Sequence, residues 1–254
     1  VNSIIWEGCQ PVFVDIEPDF LCINPALIEE KVTENTSAIL ATHVYGNPCD
    51  VEAIERIAKK HNLRVIYDAA HAFGVQYKGK SLLSYGDVST LSLHATKIFH
   101  TIEGGGVITN DKDLHEKLLY LHAFGHQYDD YKYCGINGKS SEFHAAIGHT
   151  IFPMADEFIL KRKKIFEQYN ELLSDLPIQL YEFREGTSPN YSYYPVLFDE
   201  EAVLLEVLAE LNKHKVYPRR YFFPSLNELK YLQEKQSTPI SEGIAKRILC
   251  LPSF

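Results

Sequence analysis

The chain has 254 residues, 45% of them hydrophobic and 23% charged, with a formal charge of −9. That is enough chain to bury one large core and a smaller one, with the composition of an ordinary globular protein rather than a fibrous or disordered one. The acidic balance argues against nucleic acid as a partner, since phosphates call for clustered Lys and Arg. No apolar run is long enough to span a membrane and no signal peptide is evident, so no membrane partner is expected. The five cysteines, Cys9, Cys22, Cys49, Cys134 and Cys250, are scattered without a CxxC pair. This usage points away from a zinc motif or a disulfide framework and fits a reducing cytoplasm.

In chain order, residues 11–15 (PVFVD) read as a strand and 25–32 as a helix. Residues 38–44 read as a strand and 51–61 as a helix with Asp50 as its N-cap. Further strands follow in RVIYD, closing at Asp68, in VSTLSL and at 106–109, and then a helix at 111–122. This alternation predicts an α/β fold, a mostly parallel sheet sandwiched by helices, with ligands collecting at the carboxyl ends of the strands. Residues 141–173 are helical in pattern and split by Pro153. The basic run from Lys161 to Lys164 reads as a solvated face of that helix. Beyond it, YSYYPVLF reads as a strand, 200–214 as a helix, VYPRRYFF as strand or loop and 242–249 as a helix. The expected division is a larger domain over 1–150 and a connector helix with a smaller α+β domain over 151–254.

Two residues carry most of the chemistry. Asp68 ends an apolar strand and precedes the small residues Ala69 and Ala70, then His71. It reads equally as an N-cap or as a buried carboxylate facing a cation. Lys97 lies in STLSLHATKIFHTIEGGG, downstream of Ser92 and His94 and ahead of Glu103 and a glycine run. A desolvated lysine sheds its proton and becomes a nucleophile toward aldehydes. An amine, a carboxylate for a ring nitrogen, and hydroxyl and amide donors for a phosphate are the set that pyridoxal phosphate requires.

The stretch YDAAHAFGVQYKGKSLLSYGDVSTLSLHATKIFHTIEGGGVIT resembles the aspartate-to-lysine core of the DegT/DnrJ/EryC1/StrS family, nucleotide-sugar aminotransferases of PLP fold type I. QPVFVDIEPDFLCINPALIEE, ATHVYGNPCDVEAIERIAKKHNLRVIYDAAHAFG and CGINGKSSEFHAAIG agree with the same family. The resemblance implies that Lys97 holds pyridoxal phosphate and shuttles the proton, and that Asp68 pairs with the pyridinium nitrogen. His71 is implied to lie near the ring and its phenolic oxygen, and Ser92 to bond the phosphate. Asn137 is implied to reach the neighbouring subunit's phosphate in a homodimer with shared sites. VYPRRYFFPSLNEL resembles the segment of enzymes that aminate a dTDP-linked 4-keto-6-deoxyhexose; Arg219, Arg220 and Tyr221 there read as substrate contacts or as a basic surface turn. Family dehydratases carry histidine in place of the lysine, so Lys97 favours amino transfer, with L-glutamate as the expected donor.

Relatives also begin with about one hundred further residues, a domain-sized segment that supplies part of the phosphate cradle. The closing helix of the smaller domain is also expected to be missing after Phe254, so the fold is expected to be incomplete at both ends. This sets up a rival expectation: a non-catalytic remnant that folds and oligomerises without a complete cofactor site. A metal site at His122 and His126 and a dinucleotide site at Gly104–Gly106 have little support, since neither has the required helical setting.

Overall fold

The computed structural model describes residues 1–253; Phe254, the last residue of the expected smaller domain, lies outside the described residues. Its centre is a four-stranded sheet of β1 (Ala38–Thr42), β2 (Arg64–Asp68), β3 (Val88–Ser92) and β4 (Gly105–Ile108), in that order. The first three strands run parallel and β4 runs antiparallel to β3. Helix α1 (Val51–His61) lies between β1 and β2 in sequence and buries Val51, Ile54 and Ala58, spaced to line one helical face. Asp50 caps it as expected, its carboxylate accepting the Ala53 N–H at 3.0 Å. Asn62 ends it in the left-handed conformation that asparagine tolerates. Lys59, Lys60 and His61 in the last turn suit the negative end of the helix dipole. The buried face of the sheet, with Ile39, Ala41, Val65 and Tyr67, forms one core with this helix.

Helix α2 (Lys112–Leu121), capped by Asp111, follows the sheet. Helix α3 (Glu142–Ile151) then leads through a single tight turn at Phe152–Met154 into α4 (Ala155–Leu173), so Pro153 divides the helical run as its sequence implied. A second, antiparallel sheet contains β5 (Ile178–Leu180), β6 (Tyr194–Phe198) and β7 (Ile248–Leu251), with β6 in the middle. Helices α5 (Glu201–Lys213) and α6 (Pro239–Arg247) pack with it. Leu21 and Tyr45 share a buried cluster with Ile244, Ile248 and Cys250, which joins the two sheets' surroundings. Arg184 reinforces the junction: it pairs with Glu17, donates to the Pro48 carbonyl at 3.0 Å and lies 4.1 Å from the Phe20 ring.

Several expected elements differ. Residues 11–15 form no ladder, because the Asp15 carboxylate is turned toward α6 and accepts the Ile240 and Ser241 N–H groups at 2.8 and 2.9 Å. Residues 25–32 form two short 3-10 turns rather than a helix. The stretch 216–223, expected as strand or loop, is a loop joined to β7 by one bridge, Arg219 to Cys250. The last helix begins and ends earlier than expected, and residues 248–251 are the strand β7. Among the described residues, no helix is long and apolar enough to cross a membrane.

Candidate active site

The carboxyl ends of the parallel strands carry the chemistry. Asp68 is the last residue of β2, in register between Thr42 of β1 and Thr90 of β3. Its Oδ1 accepts the Ala70 N–H at 3.1 Å within a turn; no helix starts there, so Asp68 is not a helix N-cap, and its other oxygen is left unused by the backbone. Ser92 ends β3 opposite Gly105, and its hydroxyl accepts the His94 N–H at 3.4 Å. The loop that follows is tied at its base, where Leu93 donates to the Gly104 carbonyl and Thr101 donates to the Leu93 carbonyl, each at 2.9 Å. That loop carries Lys97, half-buried rather than extended into water.

Burial holds the Lys97 amine below the ordinary lysine range, and the negative charge of Asp68 works in the opposite direction. Nζ donates to the Tyr193 hydroxyl at 3.4 Å. His71 is buried, and its Nδ1 accepts the Tyr45 N–H at 3.1 Å. Burial, aided by the Lys97 charge, depresses its pKa to about 3. The ring is therefore neutral, with its single proton on Nε2 as a donor. Gly46 permits this packing: a Cβ there would meet the His71 carbonyl at 2.9 Å, and its φ of +83° suits glycine.

Lys97, Asp68, His71 and Ser92 thus share one edge of the sheet. The others are placed differently. Asn137 is exposed on a separate arm, bridged to Ala123. Arg220 is committed internally: Nη2 donates to Glu201 at 2.6 Å and to the Lys246 carbonyl at 2.8 Å, and its guanidinium lies 3.8 Å from the Phe223 ring. Arg219 is exposed, 5.9 Å from the Tyr221 ring. Tyr221 is nearer the site, its ring 5.9 Å from that of Tyr193 and its carbonyl accepting the Tyr45 hydroxyl. Three aromatic residues were not singled out from sequence: Tyr193, Tyr45 and Phe222, whose ring stacks on His71 at 5.6 Å. YSYYPVLF registers only as an apolar strand, and nothing local to it points to a lysine far upstream. A cavity of about 730 Å³ lies at the opposite edge of the sheet, beside Arg64 and Asp87, and includes none of these groups.

The donor set fits pyridoxal phosphate. A partly desolvated amine, a carboxylate with one oxygen unused by the backbone, a neutral N–H donor and a strand-end hydroxyl meet on one edge. The comparisons agree. The DegT/DnrJ/EryC1/StrS aminotransferase family matches residues 1–254. The chain belongs to that family.

The chain is 40% identical to a dTDP-4-amino-4,6-dideoxy-D-glucose transaminase of Shigella dysenteriae, covering 99% of this chain and 70% of the relative. Among solved structures, DesI in the presence of its TDP-sugar product superposes with a TM-score of 0.93 at 34% identity, covering 99% of this chain and 66% of DesI. A Bacillus cereus aminotransferase described as PLP-dependent superposes at 0.90 with 27% identity, covering all of this chain and 71% of its own. The fold is accordingly PLP fold type I, and the function is pyridoxal-phosphate-dependent amino transfer to a nucleotide-linked sugar. The non-catalytic remnant is not favoured.

Proposed function

We propose that this family member moves an amino group from an amino acid, L-glutamate, to a dTDP-linked 4-keto-6-deoxyhexose in the cytoplasm. We further propose that it works as a homodimer, with the cofactor domain in residues 1–150 and the smaller domain beyond. The sugar is read from the likeness to the Shigella dysenteriae transaminase and to DesI, and from the VYPRRYFF segment. When bound, pyridoxal phosphate supplies an aldehyde that takes up the amino group and a ring that accepts electrons from the deprotonated carbon.

The chain's own residues have separate tasks. Lys97 Nζ would hold the aldehyde of the cofactor, and its neutral amine would serve as the base that moves a proton at the donor's α-carbon and at the sugar carbon. Burial supports this by favouring the uncharged amine. Asp68 would pair with the ring nitrogen and keep it protonated. His71 would offer Nε2–H to the phenolic oxygen, Ser92 would bond the phosphate, and Asn137 would reach the partner's site. Arg219 and Tyr221 remain substrate contacts in this reading, whereas the ion pair of Arg220 with Glu201 gives that residue a structural task.

The observation that carries the proposal is the half-buried Lys97 amine beside the charge of Asp68 at the strand ends. The expected result is that added pyridoxal phosphate gives a visible absorption band that borohydride bleaches, with the added mass on Lys97. Lys97→Ala is expected to keep the fold and lower turnover by at least about 10³-fold, the scale of losing a nucleophile and proton carrier together. Retained transamination in that variant, or no band in the intact chain, overturns the proposal.

A further inference from the structure

We propose that Tyr193 is a positioning residue for the Lys97 amine, and that Arg162 holds Tyr193 in that place. This rests on the reading of Lys97 as the reacting amine. The groups facing that amine come from several elements: Asp68 from the end of β2, His71 from the loop after it, and Tyr193 from the chain entering β6. A lysine amine on its four-carbon stem samples many rotamers. Here the Tyr193 hydroxyl accepts from Nζ at 3.4 Å, while the tyrosine ring is fixed against His71 at 4.6 Å and Tyr45 at 5.5 Å. Burial raises the phenol's pKa, so the group is a neutral acceptor. A neutral acceptor steers the amine without locking it as an ammonium, which a carboxylate at contact distance does.

Arg162 departs from the solvated face expected of the run 161–164. It is half-buried, and its Nη1 donates to the Ser192 carbonyl at 2.9 Å and to Ser253 Oγ at 2.8 Å. Both partners are neutral oxygens, although a buried guanidinium ordinarily takes a carboxylate. One of them belongs to the residue before Tyr193, and the guanidinium charge also acts on the Tyr193 phenol. The bond from α4 thereby sets where Tyr193 enters β6.

The test uses the intact chain without cofactor, so that it stays separate from the proposed function. Trinitrobenzenesulfonate labelling of Lys97 is followed against pH by peptide mass spectrometry, with circular dichroism to verify folding. In Tyr193→Phe the ammonium loses an acceptor, and the labelling midpoint falls by about half to one pH unit. Arg162→Gln, which retains the tyrosine side chain but removes the guanidinium that positions it, moves it in the same direction, and Arg162→Lys restores most of the wild-type profile. Because Arg162 acts through Tyr193, the Tyr193→Phe/Arg162→Gln double variant adds no further shift. A profile unmoved by both single variants, or shifts that simply add, overturns the inference. A shifted profile together with failure of pyridoxal phosphate to attach to Lys97 sinks the proposed function and leaves the positioning intact.

Discussion

His71 and His43 are held neutral by one device. In each, Nδ1 accepts a backbone N–H at 3.1 Å, from Tyr45 and from Cys49 respectively, within a site that burial desolvates. Each pKa falls from the ordinary 6.5 to about 3. The sign follows by linkage: between those values the unfolded chain binds protons that the folded one refuses, so stability is lost as pH falls below about 6.5. The expected loss between pH 6.5 and 5, where most carboxylates stay ionised, is about 1 kcal/mol per pH unit for each histidine. Urea unfolding at several pH values measures it. His71→Asn, whose side-chain oxygen can accept the Tyr45 N–H, is expected to remove about half of the slope. An unchanged slope would contradict the neutral imidazole on which the Nε2–H donor depends. At this scale the sequence was informative wherever chemistry is local. Asp68, His71, Ser92 and Lys97 are close in sequence and reach one edge because adjacent parallel strands end there. Tyr193 and Arg162 were illegible, because their role depends on contacts between the connector helix, the second sheet and the Lys97 loop.

Among the elements, residues 11–15 show how a sequence pattern can be read correctly as apolar and still be assigned the wrong structure. Residues 11–15 alternate like a strand, yet Asp15 is buried and serves as the cap for a helix near the other end of the chain. Thr238 occupies the N-cap position of α6 without a side-chain capping bond, and the Asp15 carboxylate fills that place. Ordinary capping substitutions cost about 1 kcal/mol. Asp15→Ala should cost more, about 2–3 kcal/mol, because it strands two partly buried N–H donors and removes a negative charge from the positive end of the dipole. Asp15→Asn keeps an acceptor and should cost less. Chemical denaturation distinguishes them, and an unchanged midpoint for Asp15→Ala would contradict the cap. Local signals were reliable where both partners sit within one turn, as at Asp50 and α1. They failed where the partner lies 225 residues away.

For the whole molecule, the arm between α2 and α3 is the part that a single chain leaves unexplained. It forms a hairpin at His126–Tyr131, yet Tyr128 is 88% exposed, Ile136 72% and Phe143, at the start of α3, 86%. Phe124, Tyr131 and Tyr133 add further exposed apolar surface beside Asn137. So many exposed apolar side chains within one short arm are expected to be covered by a partner. In the proposed homodimer a second copy of the chain would account for Asn137 as well, since the arm that seats the dimer would carry that amide into the other site. Phe143→Asp with Ile136→Asp tests this at exposed positions where folding should be unaffected. Each change puts a charge into an apolar contact, and together they are expected to weaken self-association at least about 100-fold. Sedimentation should then show a species of twice the chain mass for the unaltered protein and of single mass for the variant at micromolar concentration. The variant should keep its circular dichroism, while pyridoxal phosphate retention falls with the loss of the partner's Asn137. Dimers that persist in the variant would show that the arm is not the seat. A monomeric unaltered chain would leave Asn137 without a route to any phosphate.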